Sequence, residues 1–248
     1  MAVIAGNWKM HMGPDETRAF FDGLVLDDVD PRHELIVFPP SVSVVVAAQA
    51  SERHRRVRLG VQNIHWEEQG AFTGEVSAGM ALQTGASHAL IGHSERRHVF
   101  GETNDEVSLK VAAALRHGLI PVVCVGETLA ERNAGRVDEV ILHQLDAVLP
   151  ALASDRERVL IAYEPVWAIG TGETATPSDA SAAHGTLRRR LEEVWGATPA
   201  GAVPLLYGGS VKPGNAGELL GASHVDGVLV GGASLDPKSF VGIASAGA

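Results

Sequence analysis

The sequence predicts a closed (β/α)8 barrel, eight parallel strands ringed by helices, formed as a single domain over residues 1–248. A chain of 248 residues that is 45% hydrophobic has enough apolar material for one sizeable core. Short β-branched runs recur along it, and the stretches between them carry helical periodicity. The runs are AVIAG near Val3, ELIVF near Leu35, VRLGVQ near Val57, HALIG near Leu90, IPVVCV near Val122, VLIAY near Leu160, VPLLY near Leu205 and DGVLV near Val228, eight in all. Between them the clearest helix carries Ala180, Ala183, His184, Leu187, Leu191, Val194 and Trp195 on one face. Val107, Val111, Ala114 and Leu115 repeat the pattern behind Thr103, a cap residue. Near-continuous apolar strands alternating with helices indicate a parallel sheet, because parallel neighbours need a crossover. An open doubly wound sheet has the same alternation, so the number of strands alone leaves both architectures standing.

The position of the polar residues favours the barrel. Asn7 and Lys9 follow the first run, His93 and Ser94 the fourth, Glu164 the sixth, Ser210 the seventh, and Gly231 and Gly232 the eighth. Each lies where a strand ends and a helix has yet to begin. In a parallel barrel those ends open on a single face, so distant residues can meet around one pocket.

Composition narrows the functional classes. A formal net charge of −10 argues against general binding of nucleic acid or acidic membranes, so an anionic ligand has to be captured locally. The basic stretch RHRRVR, Arg53 to Arg58, reads as a solvated helix end or a surface anion contact. Cys124 is the only cysteine and sits in PVVCVG, where a core thiol and a reducing, cytoplasmic setting are expected. The apolar patch AVIAG before Lys9 is too short for a signal-peptide core, and no stretch approaches the roughly 20 apolar residues of a membrane span.

Several motifs allow two readings. GTGETA, Gly170 to Ala175, fits a dinucleotide fingerprint, but Pro165 and its neighbours separate it from the strand that should feed its first glycine. GHSERR sets His93 beside Ser94, yet adjacent side chains rarely face each other and no nucleophile elbow surrounds the serine. His93 is a structural histidine or a neutral imidazole held by helix N-terminal amides. Lys9 snorkels or binds an anion; Asn7 holds a turn or contacts a ligand. The glycine pairs in YGGSV and VGGAS are tight turns or places where backbone N–H groups approach an anion. Glu164 is a capping carboxylate or a base. The loop after it favours the base: Val166, Trp167 and Ile169 are costly in water, and Gly170 and Gly172 permit rotation, as a lid requires. On closing, Ile169 and Leu229 would desolvate the carboxylate and make it more basic.

AGNWKM, QNIHWEEQGAFTGE, IGHSERRHVFGET, PVVCVGET, AYEPVWAIGTGE, YGGSV and DGVLVGGAS stand in order along the chain, and in this order the sequence resembles the triosephosphate isomerase family from Ala2 to beyond Ser234. The resemblance implies a TIM barrel that interconverts dihydroxyacetone phosphate and D-glyceraldehyde 3-phosphate through an enediolate, as in glycolysis and gluconeogenesis, with no cofactor or metal. It implies that Glu164 is the base, His93 the electrophilic partner, and Asn7 and Lys9 contacts to substrate. It also implies that the amides of Gly170, Ser210, Gly231 and Gly232 grip the phosphate. Ser94, Glu95, Cys124, Trp167, Ile169 and Leu229 become supporting residues, with Trp167 reaching Glu127 when the lid is open. A relative acting on a four-carbon ketose phosphate would keep the same base and phosphate grip.

The residues fit that chemistry on their own terms. Shifting a carbonyl along a short sugar needs one carboxylate to move a proton between adjacent carbons while Lys9, Asn7 and a neutral His93 stabilise the oxyanion. The segment Gln62 to Glu75 is long for a βα loop and exposes Trp66 and Phe72 unless something covers them. By the resemblance it enters a neighbouring subunit, with Thr73 approaching the partner's site near Lys9 and Met12 in the contact, which makes the chain a homodimer.

Overall fold

Every apolar run forms a strand in this computed structural model: β1 (Val3–Asn7), β2 (Glu34–Phe38), β3 (Val57–Val61), β4 (His88–Ile91), β5 (Ile120–Val125), β6 (Leu160–Tyr163), β7 (Leu205–Tyr207) and β8 (Gly227–Val230). The structure describes residues 1–169 and 175–247. Each strand pairs in parallel with the next, and β8 pairs back onto β1, so the sheet closes in chain order. Closure removes the doubly wound alternative.

Side chains alternate across a strand, so closure creates two cores. Val3 and Ala5 of β1, Val122 and Cys124 of β5, and Leu160 and Ala162 of β6 point inward and pack together inside the barrel. Their neighbours Ile4, Val123 and Ile161 belong to a second cluster that includes the helix residues Phe20, Leu145 and Leu187. The inward parity places Asn7 at the end of β1 and, one step past β5, β6 and β7, Gly126, Glu164 and Gly208 at the mouth.

The helices follow their sequence signals. Thr103 caps the helix Asn104–Arg116 in a reciprocal box with Glu106, and Val107, Val111, Ala114 and Leu115 are buried. Thr176 and Asp179 form the same box at the start of Pro177–Trp195; such a cap contributes about 1 kcal/mol. That helix buries the predicted stripe except for Val194, which is 43% exposed. At the last turn Trp195 still packs inward while Val194 is left at the edge. The basic stretch is structural: Arg53 pairs with Asp22, and Arg56 donates to the carbonyls of Val29 and Asp30. Among the described residues no helix is long and apolar enough to cross a membrane.

Two histidines inside this framework make its stability depend on pH. His184 is fully buried, with Nδ1 against the His224 carbonyl at 3.0 Å and Nε2 without a hydrogen-bond partner among the described residues. Burial, reinforced by Arg188, brings its pKa down to about 4, and burial with Arg58 does the same to His88. In an unfolded chain both titrate near about 6.5. Between those values the unfolded state binds protons that the folded state refuses, so stability falls as pH drops from about 6.5 and levels below about 4. The expected loss is on the order of 2 kcal/mol per histidine by pH 5. Urea unfolding at pH 7 and pH 5 measures it, and His184→Gln should flatten the difference by roughly half.

Candidate active site

The loops after β1, β4, β6, β7 and β8 converge on a cavity of about 350 Å³ at the mouth of the barrel. Asn7, Lys9, His93, Glu164, Ser210, Gly231 and Gly232 line it, with Ile169 and Leu229 as its apolar wall. Ser94, Glu95 and Cys124 stand beside or behind these residues. Gly170, with Gly172 and most of GTGETA, lies outside the described residues. Thr73 is exposed on its own loop and does not line the cavity.

Glu164 continues the inward parity of Leu160 and Ala162 and is only 2% exposed. The strands beside it make room. The register that sets Cys124 against Ala162 and Tyr163 against Tyr207 carries Glu164 between Gly126 and Gly208. A Cβ on Gly126 would stand 1.8 Å from the Glu164 carbonyl oxygen, and one on Gly208 2.8 Å from Glu164 Cγ. Any larger residue at either place displaces the carboxylate or its backbone.

The buried charge is compensated at close range. Oε1 of Glu164 lies 3.0 Å from His93 Nε2, and Oε2 accepts the Ser94 amide at 2.9 Å. Burial pushes the Glu164 pKa up, but His93, the Ser94 amide and Lys9 outweigh it, and the net direction is downward. The expectation that Ile169 and Leu229 make this carboxylate more basic concerns the closed loop, whose residues 170–174 lie outside the described residues; in this arrangement the partners of Glu164 stabilise its charged form. To act as a stronger base it has to leave the Ser94 amide. Burial and its negative neighbours drive the Cys124 thiol well above its ordinary value, which keeps it protonated and inert.

His93 is the N-cap of the helix Ser94–Val99, and its Nδ1 accepts the Glu95 amide at 3.2 Å. That bond assigns the lone pair to Nδ1 and the proton of a neutral ring to Nε2, which faces the cavity. Burial lowers the His93 pKa and Glu164 raises it, with the net direction upward while the carboxylate sits against the ring. Lys9 holds a left-handed backbone at φ 51, with its amide donating to Asn7 Oδ1 and its carbonyl accepting from Gln62 Nε2. Its ammonium meets Glu95 Oε1 at 2.6 Å.

Opposite the carboxylate, Gly232–Leu235 forms a short helical turn after β8, and Asn215 Nδ2 donates to the Ser210 carbonyl. Trp167 Nε1 and the Tyr163 hydroxyl both donate to Glu127 Oε1, at 2.9 Å and 3.1 Å. Sequence reasoning passed over Lys212, which also lines the cavity. It passed over Arg97 as well, whose guanidinium donates to the carbonyls of Gly92 and Cys124 and so ties the approach to His93 onto β5. Lys212, directly after YGGSV, was findable as a second cation; nothing in the sequence marks Arg97 above its neighbour Arg96 in GHSERR. Among the described residues no group of three or more His, Cys, Asp or Glu side chains is placed to hold a metal ion.

Comparison with known proteins places this geometry in a family. The triosephosphate isomerase family model matches residues 2–247. A triosephosphate isomerase of Solibacter usitatus is 48% identical over 243 residues, covering 97% of both chains. That of Halorhodospira halophila is 48% identical over 247 residues, 99% of this chain and 98% of its own. The Thermoanaerobacter pseudethanolicus enzyme is 46% identical over 242 residues, 97% of each.

Proposed function

The chain belongs to the triosephosphate isomerase family, and from that premise we propose how its own residues interconvert dihydroxyacetone phosphate and D-glyceraldehyde 3-phosphate as one catalytic domain. Glu164 is the base. It takes the proton from the carbon beside the carbonyl and returns it to the neighbouring carbon, while the hydroxyl proton passes from one oxygen to the other by way of the His93 Nε2–H, so a single carboxylate serves both half-reactions. The observation that carries this role is a nearly fully buried carboxylate opposite an imidazole N–H on a small cavity.

The charge that leaves carbon has to rest on oxygen. His93, with Nδ1 occupied by the Glu95 amide, presents Nε2–H, while Lys9 and Asn7 supply a cation and an amide on the same wall. Because these groups are already in place, little reorganisation accompanies the charge as it forms. Lys9 turns from Glu95 toward the substrate. The amides of Gly231 and Gly232, at the start of a helical turn whose first N–H groups have no partner within it, hold the phosphate together with that of Ser210; Gly170, the fourth amide of this grip, lies outside the described residues. Ile169 and Leu229 exclude water, which protects an enediolate able to expel its phosphate.

The proposal extends to a cytoplasmic homodimer that needs no cofactor. Exposed apolar side chains on consecutive βα segments support the dimer: Met10 after β1, Val42 and Val45 after β2, Phe72 and Met80 after β3, and Val99 after β4. His65 stacks on Trp66 and meets Phe72 at a tilt, each with ring centroids 4.2 Å apart, so the segment carrying Thr73 is internally packed while Phe72 remains exposed. A second copy of this flank covers the patch.

In a coupled assay on glyceraldehyde 3-phosphate, Glu164→Gln should lower kcat on the order of 10²-fold to 10⁴-fold and leave inorganic phosphate binding nearly intact. Near-normal turnover removes Glu164 from the role of base. His93→Gln should reduce kcat with KM little changed; a change confined to KM makes His93 a binding residue. Sedimentation at micromolar concentration should give twice the chain mass, and Phe72→Asp should shift it toward the single chain.

A further inference from the structure

We propose that Gln144 is a positioning residue for this reaction: its amide clamps the peptide at Gly126, and Gly126 seats the backbone of Glu164. The inference rests on Glu164 being the base. Gln144 lies on the helix Val137–Asp146, outside the barrel and away from the cavity lining. It is buried, and both ends of its amide are used on one residue. The Gly126 N–H donates to Gln144 Oε1 at 2.7 Å, and Gln144 Nε2 donates to the Gly126 carbonyl at 3.1 Å.

Those bonds matter because of where Gly126 sits. Strand β5 ends at Val125, so Gly126 is the first residue beyond the ladder, and its buried polar groups have to be satisfied by something else. Its Cα faces the Glu164 carbonyl so closely that there is no space for a side chain. The residues on either side hold the same segment: the Val125 carbonyl accepts the Glu164 amide at 2.7 Å, and the Glu127 carbonyl accepts that of Val166 at 3.1 Å. A rotation of the Gly126 peptide therefore transmits directly to the backbone from which the Glu164 carboxylate projects. Gln144 is the side chain that fixes that rotation, by a donor and an acceptor held in one plane.

A residue that merely satisfied two buried groups would affect how much protein folds and nothing else. A positioning residue changes the chemical step in the protein that does fold, because sub-ångström to ångström misplacement of a catalytic group is expensive. Gln144→Met keeps the size and removes both hydrogen bonds. For this variant, in the full-length protein with folded content fixed by circular dichroism, kcat should fall on the order of 10-fold to 100-fold. KM and inhibition by inorganic phosphate should stay within about twofold, since the phosphate grip lies on other strands. The acidic limb of the kcat/KM profile should also move upward, as the carboxylate loses its fixed distance to His93 and the Ser94 amide. If Gln144→Met does not fold, Gln144→Asn, which draws the same amide back by one methylene, should give the same division between kcat and KM. A folded variant with kcat within threefold of the parent and an unmoved acidic limb overturns the proposal. Glu164→Gln measured alongside keeps the two readings apart: an active Glu164→Gln overturns the base, whereas an inactive one beside a normal Gln144→Met overturns only the clamp.

Discussion

A carboxylate buried at the mouth of a barrel is the constraint around which the rest of the site is arranged. Taking an ionised group out of water costs several kcal/mol unless partners replace its hydration. Here the replacements come from β4 and the helix that follows it: an imidazole nitrogen on one oxygen and the Ser94 amide on the other. Space comes from the neighbouring strands, where Gly126 and Gly208 flank Glu164 in register. The same compensation that makes the charge tolerable also weakens it as a base. In the proposed reaction the site would work by exchange: substrate enters, the carboxylate gives up a resident hydrogen bond, and its basicity rises when there is a proton to take.

Lys9 follows the same logic from the other sign. In a chain of net charge −10 the Lys9 ammonium is held by Glu95, and in the proposed reaction it would leave that partner for the anionic ligand. Its backbone is fixed in a left-handed conformation by Asn7 Oδ1 and by Gln62, so the exchange falls on the side chain alone. A non-glycine residue at positive φ costs of order 1 kcal/mol or more, and the bonds at its amide and carbonyl keep it there. Both charged groups of the site thus project from a fixed backbone and rest on a resident partner.

Much of this was legible because barrel closure turns sequence order into spatial order. The strand runs and the polar residues at their ends were enough to place Asn7, Lys9, His93, Glu164, Ser210, Gly231 and Gly232 around one opening, and the cavity gathers all of them. The helix stripes read correctly down to the last turn, where Val194 shows that a periodic pattern says which face is apolar and not where its support stops. Other features depended on register. Gly126 reads as one glycine among 28 until β5 is aligned with β6. Gln144 is polar on an amphipathic helix, and only docking reveals that it faces inward. The net pKa direction of Glu164 was also beyond the sequence, because burial and pairing oppose each other and distances decide between them.

The segment between β3 and the helix Ala78–Gln83 joins assembly to chemistry. Gln62, its first residue, donates through one Nε2 to the carbonyls of both Lys9 and Phe38, and so ties the loops after β1 and β2 to the root of the projecting loop. Lys110 meets Asn63 at 2.8 Å and pairs with the buried Glu102, which anchors the same root to the helix Asn104–Arg116. Arg116 of that helix donates to the Trp66 carbonyl, and His117 lies against Glu68. The loop is therefore rigid at its base, and its apolar tip is the part left uncovered. A partner covering Phe72 would load a segment whose other end is hydrogen-bonded to the backbone of Lys9. In the proposed dimer, association through this flank would stiffen the left-handed turn that aims the ammonium, which gives a physical reason for pairing.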